Sequence, residues 1–473
     1  MVLTEKQQAI LDGKEGQTLA KVMKTLVMYG EAFGAEKMVP VTSKYNHLVT
    51  SFGLGVLDPV YDLMNTLIES GAVSQQKFSM DPRPLDKNVP KNFLQDLVFK
   101  KFMYNKQDFY EDQLQKLGLL DKDAFTCACY LDEVGNKPQK GEVLSWAESS
   151  AVVYANSVLG ARCNRNSGIM DIMGSIVGYV PYFGLLTDEG RKASWVVRIE
   201  TTKKPEAQLL GSAIGMKVME DVPYVVGLDK WLGTELNEAA CTYLKDFGAA
   251  TASNGAVGLY HIENLTPEAC EQGSTLIKED AKEYIIDDAE LERVKNGYPM
   301  IWKDPNAKPK LCFMGCPHMT LQQLKDWTDR VEAGLKQYGV DSPIIGIANG
   351  SGKLNAVIDI NGGTFDLLTE DTVDNTMTGG ACIGSGTQGY YGAVLADITI
   401  NGGILNLVSK SNGAALGGGP GQDGGNIYIF GGTITAVSEF EADAIGAGTA
   451  SPKTNNNTRI DRGTVKAVST WKS

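Results

Sequence analysis

Residues 146–165 read Trp146-Ala-Glu-Ser-Ser-Ala-Val-Val-Tyr-Ala-Asn-Ser-Val-Leu-Gly-Ala-Arg-Cys-Asn-Arg165. From Trp146 to Leu159 the residues are mostly apolar or small, and a helix without a polar face is a buried helix. The stretch therefore predicts a helix in the core of the protein. At its start, Ser149 is a candidate N-cap, with the acidic Glu148 before it. A carboxylate beside a hydroxyl can equally bind a substrate hydroxyl or ammonium, or relay a proton.

The sequence around this stretch alternates helical patterns with short apolar runs. Apolar residues recur at helical spacing in residues 17–34, 58–70 and 320–338, and residues 39–42 are a strand candidate. Alternating helix and strand signals are typical of the α/β class. We therefore expect an α/β catalytic domain over residues 1–338.

The composition changes after Gly339, where glycine becomes frequent and charge becomes sparse. The element Asn361-Gly-Gly-Thr-Phe-Asp-Leu returns in altered form at Asn401 and Phe430, and in part at Gly463. A period of about 30 residues indicates stacked units that share one core. Short alternating strands between glycine turns favour strands over helices. We expect a parallel β-solenoid over residues 339–473.

Composition limits the classes of function and the compartment. The 473 residues contain 44 Lys and Arg against 57 Asp and Glu, for a formal net charge of −13, which argues against nucleic acid as a partner because phosphate binding needs clustered positive charge. No basic leader and no apolar run of about 18 residues occurs, so we expect a cytoplasmic protein without membrane spans. The eight cysteines are too scattered for a disulfide framework.

Two further segments, Thr126-Cys-Ala-Cys-Tyr-Leu and Gly315-Cys-Pro-His, flank residues 146–165 along the chain. This combination is similar to aconitase X, a family of hydro-lyases related to aconitase. Residues 146–165 carry most of the resemblance, because chance agreement over so long a stretch is negligible. The resemblance covers most of residues 1–338 and none of the Gly-rich part, and it implies an aconitase-like α/β fold.

The resemblance implies an iron centre, either an iron–sulfur cluster or mononuclear iron, held by three cysteines. Cys127 and Cys316 match two of the ligand positions, and thiolates are soft ligands that suit iron. A lone cysteine is more often a buried packing residue, an interpretation that the motif context reverses for these two. Cys129 is an extra thiol. Cys382 lies within a repeat element, and repeat packing explains it better than metal ligation.

The resemblance assigns roles to other residues by position. Glu148 and Ser149 match a catalytic, substrate-contacting pair. The substrate-binding set is Leu48, Val49, Thr50, Asp81, Pro82, Arg162, Asn164 and Arg165. Leu48 replaces a glycine and can crowd the pocket, whereas Asp81 replaces an asparagine and adds a charge that disfavours phosphorylated or carboxylate substrates. Arginine suits carboxylates, but structural salt bridges account for Arg162 and Arg165 equally well.

The leading hypothesis is the large subunit of an iron-dependent hydro-lyase that acts on a small hydroxy acid, such as cis-3-hydroxy-L-proline or mevalonate 5-phosphate. Its partner would be a small subunit with the swivelling domain that carries a catalytic serine in this family. The alternative is a catalytically degenerate scaffold that serves as a binding or assembly protein through its solenoid. An artificial join of two genes near residue 338 is a further possibility.

Overall fold

The computed structural model describes residues 1–84, 97–132, 134–299, 315–337, 357–360, 364–370, 381–384, 397–439, 441–449, 451 and 456–469. These residues belong to two compact units, unit 1 from Met1 to His318 and unit 2 from Met319 to Ser473. Within these ranges no helix is both long enough and apolar enough to cross a bilayer.

The first half of unit 1 is mainly helical, with two pairs of short strands. Its helices are α1 (Glu5–Leu11), α2 (Gln17–Ala32), α3 (Asp58–Glu69), α4 (Gln107–Leu117), α5 (Ser149–Ser157) and α6 (Gly168–Val177). Its strands are β1 (Met38–Pro40), β2 (Asn46–Leu48), β3 (Phe78–Met80) and β4 (Tyr179–Pro181). Strands β1 and β4 pair antiparallel, whereas β2 and β3 pair parallel. The helices predicted near residues 17–34 and 58–70 are confirmed.

The second half of unit 1 alternates strands and helices. Its strands are β5 (Ala193–Ile199), β6 (Pro223–Val226), β7 (His261–Ile262) and β8 (Ile277–Ile286), and its helices are α7 (Ala207–Val218), α8 (Asp229–Leu232), α9 (Glu238–Asn254), α10 (Pro267–Gln272) and α11 (Asp288–Gly297). The four strands form one parallel sheet in the order β7-β6-β5-β8. A parallel sheet needs helical crossovers, and the α/β prediction is confirmed.

Helix α5 is the buried helix that the sequence predicted from residues 146–159. Ser150 to Ser157 are all buried, in the hydrophobic core that also includes residues of β5, β6, α7 and α9. Asn156 satisfies its polar side chain inside this core by donating to the carbonyl oxygens of Cys163 and Gly258, each at 2.8 Å. Because the helix is enclosed, the position of its N-terminus is fixed by packing.

Unit 2 consists of helix α12 (Leu321–Gln337) and three parallel sheets. The strands are β9 (Val357–Ile360), β10 (Thr364–Glu370), β11 (Ile383–Gly384), β12 (Asp397–Ile400), β13 (Ile404–Lys410), β14 (Leu416–Gly417), β15 (Gly425–Ile429), β16 (Thr433–Ser438), β17 (Ile445–Gly446), β18 (Asn456–Ile460) and β19 (Thr464–Ser469). The sheet orders are β10-β13-β16-β19, β11-β14-β17 and β18-β15-β12-β9. Each strand therefore pairs with strands from neighbouring copies of the repeat.

Glycine is required at the short strands of unit 2. Gly384 and Gly417 have φ of 140° and 133°, a backbone conformation that L-residues with a Cβ rarely adopt. A Cβ on Gly384 would lie 1.9 Å from the carbonyl oxygen of Gly417, and one on Gly417 would lie 2.1 Å from that of Gly446. Close approach of successive strands thus explains why glycine recurs in the repeat.

A buried ion pair in unit 1 provides a test of the packing. The guanidinium of Arg191 donates to Glu268 at 2.7 Å, and the two side chains are only 1% and 8% exposed. We predict that Glu268→Ala lowers the free energy of unfolding by about 3–5 kcal/mol, because it leaves a buried charge unpaired. Urea denaturation followed by circular dichroism measures this effect. The matched control is Glu283→Ala, which removes the exposed partner of Arg198. An equal effect of the two substitutions would contradict the prediction.

Candidate active site

A cavity of about 1060 Å³ lies within unit 1. Its lining comes from both halves of the unit, including helices α5, α7 and α9. Several residues that the sequence analysis selected line it together, namely Asp81, Pro82, Cys127, Glu148, Ser149 and Cys316. A concave pocket with convergent polar groups is the usual form of a small-molecule site.

Glu148 occupies the N-cap of α5 in a strained backbone conformation. Its φ is 104° and its ψ is 129°, and such a conformation costs a non-glycine residue about 1–3 kcal/mol. Its carboxylate accepts hydrogen bonds from the backbone N–H groups of Ser150 at 2.9 Å and Ala151 at 2.6 Å, and from the Ser150 hydroxyl at 2.7 Å. The hydroxyl of Ser149 is 3.3 Å away. Of the predicted pair, Glu148 is therefore the helix cap.

His47 and Asp81 form a buried pair beside Glu148. The Nε2 atom of His47 lies 3.7 Å from Oδ1 of Asp81, too far for a hydrogen bond, and neither atom has a hydrogen-bond partner among the described residues. Burial raises the pKa of Asp81 to about 7 and lowers the pKa of His47 to about 4. Burial and the nearby Asp81 also raise the pKa of Glu148. All three shifts disfavour charge, as expected for ionisable groups removed from water.

The parallel pairing of β2 and β3 creates this arrangement. His47 and Ser79 are register partners, and the His47 Nδ1 atom lies 2.9 Å from the Ser79 hydroxyl. The side-chain amide of Asn136 donates to the same hydroxyl at 2.8 Å and to the backbone carbonyl of Asn46 at 2.9 Å. The imidazole is thereby held with Nε2 directed at Asp81.

Cys127 and Cys316 reach the cavity from distant parts of unit 1. The backbone N–H of His318 donates to the Cys127 sulfur at 3.2 Å. Burial raises the pKa of Cys127 to about 12, and the neighbouring Glu148, Asp81 and Cys316 add to this shift. The thiol is therefore protonated near neutral pH, whereas a bound metal would stabilise the thiolate.

A third thiol does not join these two among the described residues. The one group of three or more potential metal ligands found there is His47, Asp81 and Glu148, which contains no sulfur. Cys382 lies in unit 2, packed against its hydrophobic core, with its sulfur 3.2 Å from the carbonyl oxygen of Val408. Cys312 lies outside the described residues. The described residues thus supply two thiols, one fewer than a three-cysteine cluster requires.

The predicted substrate loop makes internal contacts. The side chain of Leu48 is fully buried in a hydrophobic core. The hydroxyl oxygen of Thr50 lies 2.6 Å from that of Tyr110. Val49 approaches the start of α6 so closely that a Cβ on Gly168 would lie 1.5 Å from its carbonyl oxygen. Neither Leu48, Val49 nor Thr50 lines the main cavity.

The three polar residues after α5 differ in their surroundings. Arg162 donates to the Leu186 carbonyl at 2.9 Å and pairs with Asp188. Asn164 accepts from the backbone N–H of Leu185 at 2.8 Å. Arg165 is exposed and has no ion pair with another described residue. Partial desolvation of its guanidinium lowers its pKa, and the Glu148 carboxylate offsets part of this shift. Of the three, only Arg165 is available to a ligand near Glu148.

Sequence reasoning missed the contribution of His47. A single histidine carries no motif of its own, and none of the site roles predicted from the sequence falls on His47. Its position immediately before Leu48, Val49 and Thr50, the predicted substrate loop, was the available signal. The partners Ser79 and Asn136 carried no signal, because they reach His47 only through strand pairing and a long-range hydrogen bond.

The raised pKa of Asp81 predicts a dependence of stability on pH. Between its ordinary value of 3.8 and about 7, the folded state binds a proton that the unfolded state has lost, so stability falls as pH rises through this window. We predict that Asp81→Asn stabilises the metal-free chain by roughly 1–4 kcal/mol at pH 8 and by much less at pH 4. Thermal unfolding in EDTA across this range measures the difference. The exposed Asp280→Asn is the control, and a stabilisation independent of pH would contradict the prediction.

Two family models and several known proteins are similar to this chain. Residues 1–189 match the family described as aconitase X first domain, and residues 193–296 match aconitase X second domain. The phosphomevalonate dehydratase large subunit of Thermococcus kodakarensis is 31% identical over 332 residues, which cover 69% of this chain and 76% of that protein. A cis-3-hydroxy-L-proline dehydratase of Hypocrea jecorina is 28% identical over 348 residues, which cover 68% and 52% of the two chains.

A solved structure of an aconitase X is also similar to this chain. The crystal structure of Thermococcus kodakaraensis aconitase X in its holo-form superimposes with a TM-score of 0.58 at 28% identity, and the match covers 76% of this chain and 81% of that one. The dehydratase relatives support the hydro-lyase class predicted from the sequence. Motifs, fold and relatives agree, and the chain belongs to the aconitase X family.

Proposed function

We propose that the chain is the large subunit of a dehydratase that removes water from a small hydroxy acid. The observation that carries the proposal is the convergence of Cys127, Cys316, Glu148 and Ser149 on one cavity. Strained backbone and groups with shifted pKa values are concentrated at functional sites, and Glu148 has both beside the two thiols. Relatives named phosphomevalonate dehydratase and cis-3-hydroxy-L-proline dehydratase support the same class of reaction.

We propose Cys127 and Cys316 as ligands of an iron centre, either iron–sulfur or mononuclear. Bound iron would act as a Lewis acid that makes hydroxide a better leaving group. The described donors are one thiol short of a three-cysteine site, so they do not account for a complete cluster. We therefore assign to this chain only the roles that its own side chains can perform.

Within the cavity, Glu148 is suited to hold the substrate hydroxyl or ammonium group. Three strong donors fix the orientation of its carboxylate at the end of α5, and a fixed acceptor lowers the cost of positioning a ligand. The hydroxyl of Ser149 can turn from Glu148 towards the substrate, since its present contact is long. Arg165 is the available cation for a substrate carboxylate.

The charge of the cavity distinguishes the two candidate substrates. Asp81 and Glu148 both line it, and two carboxylates attract an ammonium group and repel a phosphate. This favours cis-3-hydroxy-L-proline over mevalonate 5-phosphate, although the relative 31% identical to this chain is named for the latter substrate. We propose that a small subunit with a swivelling domain, present with this chain in the cytoplasm, supplies the serine that abstracts the substrate proton.

We predict that the complex of this chain with an aconitase X small subunit, reconstituted anaerobically with iron and sulfide, dehydrates one of these two acids. Glu148→Gln should lower kcat by about 100-fold or more, because positioned acid–base groups contribute that much. Cys127→Ser should abolish both activity and the absorption of the thiolate-bound iron centre. Product formation is followed by mass spectrometry, and iron by absorption and elemental analysis.

The matched control is Cys270→Ser, because this cysteine is exposed and lies outside the cavity lining. It should retain wild-type activity and iron content. The proposal fails if the complete complex binds no iron, or if Cys127→Ser keeps the thiolate-to-iron absorption of the wild-type chain.

Two observations support a second candidate function. The described residues supply two thiols rather than three, and the side chain of Leu48 is buried in a hydrophobic core instead of lining the cavity. In this candidate, unit 1 is a degenerate scaffold and the three sheets of unit 2 are the faces of a solenoid that binds a partner. Glycan-array binding by the full chain, together with no turnover in the reconstituted complex, would favour this candidate over the dehydratase. Residues 1–338 and 339–473 remain our proposed domains.

A further inference from the structure

We propose that His47, Asp81 and Glu148 bind one divalent transition-metal ion through nitrogen and oxygen ligands. Their ligand atoms all lie within 4.8 Å of one another. This ligand set contains neither Cys127 nor Cys316, although Asp81 and Glu148 line the same cavity as the two thiols. The proposal does not depend on the dehydratase activity, and it assigns a role to a buried histidine that the proposed reaction does not use.

The distance between His47 and Asp81 fits a metal better than a water molecule. Their facing Nε2 and Oδ1 atoms are 3.7 Å apart. A metal with bonds of about 2.1 Å to both atoms would subtend an angle of about 124°, close to the angles of tetrahedral or five-coordinate sites. A water bonded at about 2.8 Å to both would subtend only about 83°, which strains its hydrogen bonds.

The hydrogen bonds of Ser79 favour the imidazole tautomer that can bind a metal. The oxygen of Ser79 accepts from the side-chain amide of Asn136. It lies 2.9 Å from Nδ1 of His47 and has a second lone pair that can accept from an Nδ1–H. In that tautomer the Nε2 lone pair faces Asp81. A hydrogen bond that fixes the second ring nitrogen is usual for metal-binding histidines.

The two carboxylates also favour a cation at this place. The ligand oxygens of Asp81 and Glu148 lie within 4.8 Å of each other. Within the described ranges, no lysine or arginine lies within salt-bridge distance of either carboxylate. The Oδ1 atom of Asp81 has no hydrogen-bond partner among the described residues. A polar atom buried without a partner is costly, and a divalent ion would both give Oδ1 a partner and neutralise the two carboxylates.

The ligand set indicates the class of metal. One imidazole and two carboxylates suit Zn²⁺, Fe²⁺ or Co²⁺ rather than Mg²⁺, which prefers oxygen ligands only. Asp81 and Glu148 face the cavity, so the ion would keep an open position on that side, as in catalytic metal sites. Ligation by Oε1 of Glu148 would replace the long 3.3 Å contact from Ser149 and keep the backbone hydrogen bonds.

Cobalt binding to the full chain tests the proposal. Co²⁺ is chosen because thiolate ligation produces a sulfur-to-cobalt charge-transfer band that nitrogen and oxygen ligands lack. The titration is made in the Cys127→Ser/Cys316→Ser chain after treatment with EDTA. We expect one Co²⁺ per chain, visible d–d bands without the sulfur band, and a rise in Tm. In the same background, Asp81→Asn should weaken binding by at least about 100-fold.

Ser79→Ala serves as a milder variant, because it leaves all three ligands in place. It should weaken Co²⁺ binding by about 10–100-fold, the effect of removing a group that orients a ligand, while thermal unfolding without metal confirms that the chain is folded. Binding that Asp81→Asn leaves unchanged would overturn the proposal. So would the absence of any Co²⁺ binding in the double-serine chain, which would indicate a bridging water only. Dehydratase activity does not enter either readout.

Discussion

The capping of helix α5 by Glu148 is the constraint on which the site depends. The helix is enclosed in the core, so its free N–H groups at the first turn occupy a fixed position and attract negative charge. Glu148 can reach them only with a φ of 104°. The strain is offset by its hydrogen bonds to Ser150 and Ala151, and a carboxylate is thereby held at the cavity wall.

The fixed carboxylate of Glu148 contributes to the pKa shifts of the neighbouring ionisable side chains Cys127 and Arg165. The pKa of Cys127 is raised by burial and further by Glu148 and Asp81, whereas the pKa of Arg165 is lowered by burial and partly restored by Glu148. The site therefore gathers negative potential in a poorly hydrated place. Such an arrangement costs stability but favours a bound cation, and perturbed groups of this kind are concentrated at functional sites.

The sequence predicted the parts of this arrangement that depend on local pattern. The buried helix and the α/β alternation follow from residue type and spacing, whereas the ligand positions of Cys127 and Cys316 follow from the family resemblance. The contact of His47 with Asp81 could not be predicted, because it depends on the parallel register that pairs His47 with Ser79 across α3. The hydrogen bonds of Arg162 and Asn164 are likewise hidden from sequence, since their partners include backbone atoms of Leu186 and Leu185.

At position 81 the chain differs from the residue that the resemblance to aconitase X leads us to expect. The resemblance places an asparagine where this chain has Asp81, and an asparagine amide would be able to donate a hydrogen bond to the Nε2 lone pair of His47. An aspartate offers only acceptors when it is ionised, so the replacement leaves two acceptor atoms facing each other at 3.7 Å. Such a pair is stable when a proton or a metal ion lies between its members. Since burial opposes a charged imidazole, a proton would lie on Asp81, whose pKa burial raises to about 7; above that pH a metal ion can take the place of the proton without placing charge on His47.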